Sequence, residues 1–346
     1  MDREALERSL ARRLLDHLEN KTTDLADDVL ELPTDVYLGA HHDKEVEVLF
    51  LGQPLVLCLS GALPGPETYR TVDICGTPVL LVRDADGRVR SFANVCRHRG
   101  VRVADGAGPV KKFTCPFHAW TYNLDGSLFR VPVSEAFEGM CFERKGLVEL
   151  PVTEGYGLIV GRLRPGAGVD IDEFLGPELA GELAMLDFAS WAPHGETHEH
   201  EVAANWKVTL DTFRENYHFN FLHRKTLAKY AYGGVLTFDA RHIELWQILP
   251  VAPDRSSVIH TAYLRPGLSD AERAKAVDMA PWICETVVDG EDFWVAARTE
   301  PGVRTGLLET VVFGRNEPAP QHLHRGFAAA LSAADAAAAG LESGEG

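Results

Sequence analysis

A chain of 346 residues, 45 % of them hydrophobic, is long enough for two domains, or one large one, with a sizeable core. Its 51 acidic and 34 basic residues give a formal net charge of −17, which argues against nucleic acid and anionic membrane as partners. The first 20 residues are highly charged, with no secretory leader, and no apolar run approaches the ~18 residues of a membrane span, so a cytoplasmic protein is expected.

In chain order, Leu6, Leu10, Leu14 and Leu18 recur every four residues and predict an amphipathic helix. Residues 1–45 are expected to form an N-terminal helical segment that packs on the domain at 156–346. From 46 to about 155 short strand-like runs alternate with turn signals, an all-β domain. Its runs include 78–83, 89–95, 112–115 and 120–122, with Asp86-Gly87 and Asp125-Gly126 as hairpin tips. Residues 162–172, rich in Gly and Pro, read as a connector. Beyond it, strands at 198–203 and 242–250 mix with helices at 208–221 and 319–336. The fold class is therefore α+β, with residues 156–346 as a domain of helices packed on an antiparallel sheet. The stretch from 334 to 346 reads as a frayed helix and tail.

Inside the β domain stand two mixed pairs, Cys96-Arg97-His98 and Cys115-Pro116-Phe117-His118, with sixteen residues between His98 and Cys115. Two cysteines and two histidines in mixed pairs are the ligand set of a Rieske [2Fe–2S] cluster, in which thiolates hold one iron and imidazoles the other. A structural zinc is the alternative, but zinc sites usually open with two cysteines and keep their histidines together. Gly100 lets the first loop turn sharply and Pro116 stiffens the second. The remaining Cys58, Cys75, Cys141 and Cys284 are dispersed and read as buried free thiols of a reducing compartment.

The second dense signal is the block 205–223. On a helix from about Val208, Asp211, Glu215 and His218 fall at i, i+4 and i+7 on one face. His223 lies five residues beyond His218, about 140° further round an ideal helix. The two imidazoles converge only if the helix loosens or ends near Asn220. Two histidines plus one carboxylate, with the remaining positions open, are the ligand set of non-haem Fe(II) oxygenases. A one-electron carrier in the same chain makes an electron-consuming metal its natural partner. His198 with His200, and His322 with His324, read as structural, each pair sharing a face without a third ligand nearby.

Over nearly its whole length the chain resembles the catalytic α component of the Rieske non-haem iron oxygenases, from Leu51-Gly-Gln-Pro-Leu through the Cys/His pairs and Ala119-Trp120 to the 205–223 block. The resemblance implies that Cys96 and Cys115 hold the inner cluster iron, His98 and His118 the outer one. It makes His218 and His223 ligands of a mononuclear Fe(II). The third ligand is expected in Asp289-Gly290-Glu291-Asp292, at Asp292, with Glu291 and Asp289 as rivals; the polar residue expected five further on is Ala297. Glu215 takes the place of a bridging carboxylate that links a cluster histidine of one subunit to an iron-ligand histidine of the next. A glutamate there, where many members carry aspartate, resembles the carnitine and choline monooxygenase branch. Asp211 would be a nearby supporting acid.

The activity implied is O2-dependent hydroxylation or oxidative dealkylation of a small organic substrate, expected to be aromatic. Electrons would come from NAD(P)H through a separate ferredoxin or flavin reductase, and the short chain implies an α3 homotrimer. A quaternary-ammonium substrate is the alternative, with Tyr230, Tyr232, Trp246, Tyr263, Trp282 and Trp294 as a cation-binding cage. A Rieske electron carrier without oxygenase activity is a further one. Pocket walls are expected from Phe213, Tyr217, Leu222, Leu227, Tyr230 and 246–263.

Overall fold

A computed structural model describes residues 3–223, 226 and 241–342. It divides into two compact units: one is Phe50–Ala192, and the other combines Met1–Leu49 with Pro193–Gly346. The chain opens with helix α1 (Arg3–Asn20), strand β1 (Leu30–Pro33) and the short helix α2 (His42–Glu45).

The Phe50–Ala192 unit is mostly strand. β2 (Leu55–Leu59) joins β11 (Val152–Gly155) and β12 (Leu158–Gly161) in a three-stranded antiparallel sheet. β3 (Thr68–Ile74), β4 (Thr77–Arg83), β5 (Val89–Ala93), β6 (Ala107–Pro109) and β10 (Glu149–Leu150) form a second sheet in the order β10-β5-β4-β3-β6. Val79, Leu80, Leu81 and Val82 of β4 are all fully buried, as expected of a strand covered on both faces. β7 (Phe113–Thr114), β8 (Thr121–Tyr122) and β9 (Leu128–Arg130) make a small third sheet. The β4–β5 and β8–β9 connections turn at Gly87 and Gly126, both at φ +82°. Leu80, Val82, Phe92, Trp120 and Tyr122 share one core with Cys96 and Cys115, so the ligand loops are rooted in packed apolar side chains.

The boundary expected at 155/156 would cut the β11–β12 hairpin. That hairpin pairs Val152 with Gly161 and Gly155 with Leu158, so the all-β unit runs on past it. Residues 162–172 do not separate the units either. They lead into α3 (Ile171–Leu183), whose first N–H groups are capped by the Asp170 side chain, still inside this unit.

In the second unit β13 (Ala192–Val202), β14 (His242–Ala252) and β15 (Arg255–Leu264) form an antiparallel sheet with β15 in the centre. Between β13 and β14 lies α4 (Trp206–Thr212). After β15, α5 (Asp270–Trp282) starts with a Ser269/Glu272 capping box. It passes directly into a π-helical stretch, Ile283–Phe293, and then into α6 (Trp294–Arg304). β16 (Thr310–Phe313) pairs with β1, tying the start of the chain to its end, and α7 (Pro318–Glu342) follows. α7 continues as helix through Glu342, beyond the point where fraying was expected. Among the described residues no helix is long and apolar enough to cross a membrane.

Candidate metal centres

The two Cys/His loops are built alike. In each, the cysteine carbonyl accepts the N–H four residues on (Gly100 at 2.9 Å, Ala119 at 3.0 Å). In each, the cysteine N–H donates to the carbonyl five residues on (Val101 and Trp120, both 2.8 Å). Closing such a loop requires positive φ at the fourth position, +82° at Gly100 and +54° at Ala119. Glycine takes that conformation freely and alanine at a strain of about 1–2 kcal/mol.

The loops bring the four ligand candidates together. Cys96 and Cys115 are buried. Burial pushes the Cys115 thiol up, with the neighbouring Cys96 adding to it, while the N–H groups of Phe117 and His118 pull the other way. The rings of His98 and His118 meet edge to face at 4.6 Å, and His98 stacks on Trp120 at 4.8 Å. Burial holds His98 below the usual imidazole range, with His118 and Arg99 adding to the effect. The Nδ1 atoms of both histidines are buried without a hydrogen-bond partner among the described residues. Two orphaned imidazole nitrogens beside two buried thiols fit a [2Fe–2S] cluster with mixed ligands. Tyr122 supports the first loop: its hydroxyl accepts the Arg97 N–H at 3.0 Å and lies 3.3 Å from Cys96 Sγ.

The second centre lies in the other unit. α4 is anchored at its start by Asn205, whose side chain accepts the Lys207 N–H and donates to the Pro253 carbonyl. Glu45 accepts from both Trp206 Nε1 (3.0 Å) and Lys207 Nζ (2.6 Å), a buried ion pair. α4 stops at Thr212, nine residues short of its expected end, because Phe213 and Arg214 donate to carbonyls three residues back and tighten the last turn. A separate 3₁₀ turn, Tyr217–Asn220, carries His218.

Asp211 and Glu215 therefore do not share a helix face. Asp211 accepts from the Tyr37 hydroxyl at 2.7 Å and pairs with His324 Nε2 at 2.9 Å. Among the described residues the supporting part expected of Asp211 finds no hydrogen bond to His218 or His223. On α7 His322 and His324 also point apart, His322 exposed and His324 buried, since residues two apart do not share a helix face.

His218 Nε2, His223 Nε2 and Asp292 Oδ1 converge, with separations of 3.1, 3.2 and 3.3 Å. Three ligands on one face of an octahedral ion with bonds of about 2.1 Å stand about 3 Å apart. Asp292 is buried and its Oδ1 has no hydrogen-bond partner among the described residues. The donor set fits a facial two-histidine, one-carboxylate metal site. Asp292 sits near the end of the π-helical stretch rather than in a solvated loop. Of its two rivals, Asp289 lies 3.9 Å from His200.

Glu291, the other rival, takes a part that the sequence did not reveal. It accepts from His223 Nδ1 at 2.7 Å and from the Thr226 hydroxyl at 2.6 Å. Glu215 does the same for His218, bonding its Nδ1 and its backbone N–H. Each imidazole thus gives Nδ1 to a glutamate and aims Nε2 at the centre, which fixes the tautomer a metal needs. Burial opposes charge on His218, but Asp292 and Glu215 outweigh it and push the imidazole up to about 9. A metal ion entering near neutral pH therefore displaces a proton.

Several expected residues stand elsewhere. Tyr263 is in the core on the opposite face of β15 from His260, while Trp282 and Trp294 are exposed, so the described members of the expected aromatic cage do not gather at one point. Trp246 packs against Phe213 at 5.5 Å, and Tyr217 is exposed. Leu227, Tyr230 and Tyr232 lie outside the described residues. Cys58 and Cys284 are buried as expected, but Cys141 is exposed in a surface turn and Cys75 is partly exposed in the β3–β4 turn. His200 does have further donors nearby, His260 and Cys284, contrary to expectation.

Residues 53–149 match the family model of the Rieske [2Fe-2S] domain. Residues 188–234 and 235–333 match that of the ring hydroxylating alpha subunit catalytic domain. The chain is 30 % identical over 202 residues to the α2 subunit of the terminal oxygenase component of terephthalate 1,2-dioxygenase from Comamonas sp., covering 56 % of this chain and 48 % of that one. It is 32 % identical over 181 residues to the carnitine monooxygenase oxygenase subunit of Acinetobacter pittii, covering 51 % and 47 %. The matched stretch thus spans about half the length of these curated relatives. The crystal structure of a quaternary ammonium Rieske monooxygenase with L-carnitine superposes with a TM-score of 0.73 at 22 % identity, covering 88 % of this chain and 96 % of that one. At that identity the likeness speaks for the fold.

Proposed function

Since the chain belongs to the Rieske, ring-hydroxylating oxygenase α subunits, we propose that it is the O2-dependent oxygenase component of a cytoplasmic enzyme. It hydroxylates or oxidatively dealkylates a small organic substrate, with electrons delivered from NAD(P)H by a separate ferredoxin or flavin reductase. The observation that carries this reading is the convergence of His218 Nε2, His223 Nε2 and Asp292 Oδ1 in a chain that also holds a Rieske ligand set.

Cys96, Cys115, His98 and His118 would hold the [2Fe–2S] cluster, and His218, His223 and Asp292 a mononuclear Fe(II). When bound, the cluster supplies single electrons and the mononuclear iron a site where O2 and electrons meet. The chain's own residues prepare that chemistry. Glu215 and Glu291 hold the Nδ1 protons of the two imidazoles, so that each Nε2 turns its lone pair to a metal once any proton there has left. Asp292 contributes a buried negative charge that favours a cation at the point of convergence. Phe213, Trp246 and Phe293 form an apolar wall in the same unit, suited to excluding water from a reacting substrate.

We read Glu215 as the bridging residue: its carboxylate binds His218, and a cluster histidine of a second copy would complete the link. A head-to-tail ring of three copies supplies such a contact, because a heterologous interface that closes repeats the same junction at every subunit. An aromatic substrate is the main reading. A quaternary ammonium substrate is the second, favoured by Glu215 and by the similarity to the carnitine monooxygenase subunit.

The decisive experiment pairs iron content with O2 uptake. The purified chain should hold about three irons, and His218→Ala about two with its Rieske absorbance intact. With a reductase, uptake should depend on an aromatic or quaternary ammonium compound, and product mass shows one oxygen gained, two gained or a methyl lost. Two irons in both proteins and no substrate-dependent uptake would leave an electron carrier.

A further inference from the structure

We propose that His200, His260 and Cys284 form a second metal site, for a thiophilic divalent ion of the zinc type, separate from the triad of His218, His223 and Asp292. One donor atom from each of the three residues lies within 4.8 Å of the other two. They come from three elements: His200 from β13, His260 from the central strand β15, and Cys284 from the π-helical stretch. Cys284 Sγ is 3.2 Å from His200 Nε2.

The feature that asks for a ligand is His260. It is only 2 % exposed, and neither of its ring nitrogens has a hydrogen-bond partner among the described residues. A buried imidazole with both nitrogens idle is rare in a folded protein, where buried polar groups are nearly always satisfied. Its ring is held by Trp246, stacked at 3.8 Å with an interplanar angle of 12°, so it cannot readily turn away in search of a partner. Glu244, on the strand next to His260, has its Oε2 3.7 Å from His260 Nε2, and its Oε1, 3.6 Å from His242 Nε2, has no hydrogen-bond partner among the described residues.

Two imidazoles and a thiol suit zinc, which takes nitrogen and sulfur ligands and tolerates an open fourth position. Binding forms two metal–nitrogen bonds and one metal–sulfur bond, and the Cys284 thiol proton leaves to solvent. The thiolate removes one of the two positive charges and the Glu244 carboxylate offsets the other, so no net charge is left buried. Cys284 lies on the same helical stretch as Asp292, eight residues before it. A metal there would stiffen the segment that carries a ligand of the first centre.

Cobalt(II) added to the iron-loaded protein tests this, because only a site containing sulfur gives sulfur-to-cobalt charge-transfer absorption, and the triad contains none. The expected result is one such cobalt per chain, competed by zinc, lost in Cys284→Ser, weakened at least tenfold in His260→Ala and kept in His198→Ala. A lack of sulfur-to-cobalt absorption at saturation, or an unchanged spectrum in Cys284→Ser, overturns the proposal. Should Cys284→Ser fail to fold, the unaltered protein gives the answer through alkylation of Cys284. Zinc should slow that reaction at least tenfold, and an unchanged rate overturns the site.

Discussion

At His218 and His223 one device is used twice: a glutamate takes Nδ1 and leaves Nε2 for the centre. The two glutamates differ in reach. Glu215 sits three residues before its histidine, whereas Glu291 comes from 68 residues later and also holds Thr226. Glu291→Gln keeps the shape but weakens the pull on the His223 Nδ1 proton. The mononuclear iron should then be held about 10–100-fold less tightly, measured by its loss to a chelator, with Rieske absorbance unchanged; equal retention would show that Glu291 does not orient the ligand. A comparable residue on the cluster side is Tyr122. Its hydroxyl accepts from the Arg97 N–H, so its own proton is free to donate to Cys96 Sγ. A hydrogen bond to a cluster sulfur stabilises the reduced, more negative state. For a net worth of about 1 kcal/mol, Tyr122→Phe should lower the midpoint potential by about 40 mV. A potential that stays put or rises in a redox titration would mean that the hydroxyl does not donate to the cysteine.

The β4–β5 hairpin shows how an element fixes a charge. Asp84 accepts from the N–H groups of Asp86 and Arg88 and from Arg90 Nε at 2.9 Å. Burial works against its ionised form, but Arg90 and the two N–H groups outweigh that and hold its carboxyl below the usual aspartate range. A group depressed on folding contributes stability above its unfolded value, near 3.9, and loses it as pH falls through the lower folded one. Asp84→Asn should be less stable at pH 7, yet lose less on acidification below about pH 4. Urea midpoints at pH 7 and pH 3 would test this, and parallel losses in both proteins would refute it. Elements of this kind were readable in advance: Asp-Gly turns and alternating strands are local, and so is a Cys-x-His loop, whose chemistry is set by residues within five positions. The 205–223 block was readable in its residues but not in its path. Nothing in its periodicity marks Thr212 as the end of α4, and the partners that hold Asp211, Tyr37 and His324, lie 174 and 113 positions away. The widened helix that presents Asp292 was invisible for the same reason, as its acidic run looks like any solvated loop.

The whole molecule holds its two ligand sets in two units, the Rieske loops in Phe50–Ala192 and the triad in the unit that joins the chain's two ends. A function that needs both must pass electrons between them, either within one chain or from one copy to the next. Glu215, already bonded to His218, offers a second copy the landing point that the bridging proposal requires. Mixed assemblies separate the two routes. Cys96→Ser removes the cluster and His218→Ala the mononuclear iron, so each variant alone should be inactive. If electrons stay within a chain, any mixture of the two is inactive as well, since every chain lacks one end of the route. If they cross a head-to-tail junction, a junction works whenever a chain with an intact cluster precedes one with an intact iron site. In equal random mixing that holds for half of the donors and half of the acceptors, so about one quarter of the activity returns in a closed ring. Substrate-dependent O2 uptake by co-expressed, co-purified variants reads this out directly, and mixed assemblies that remain inactive would rule out transfer between subunits.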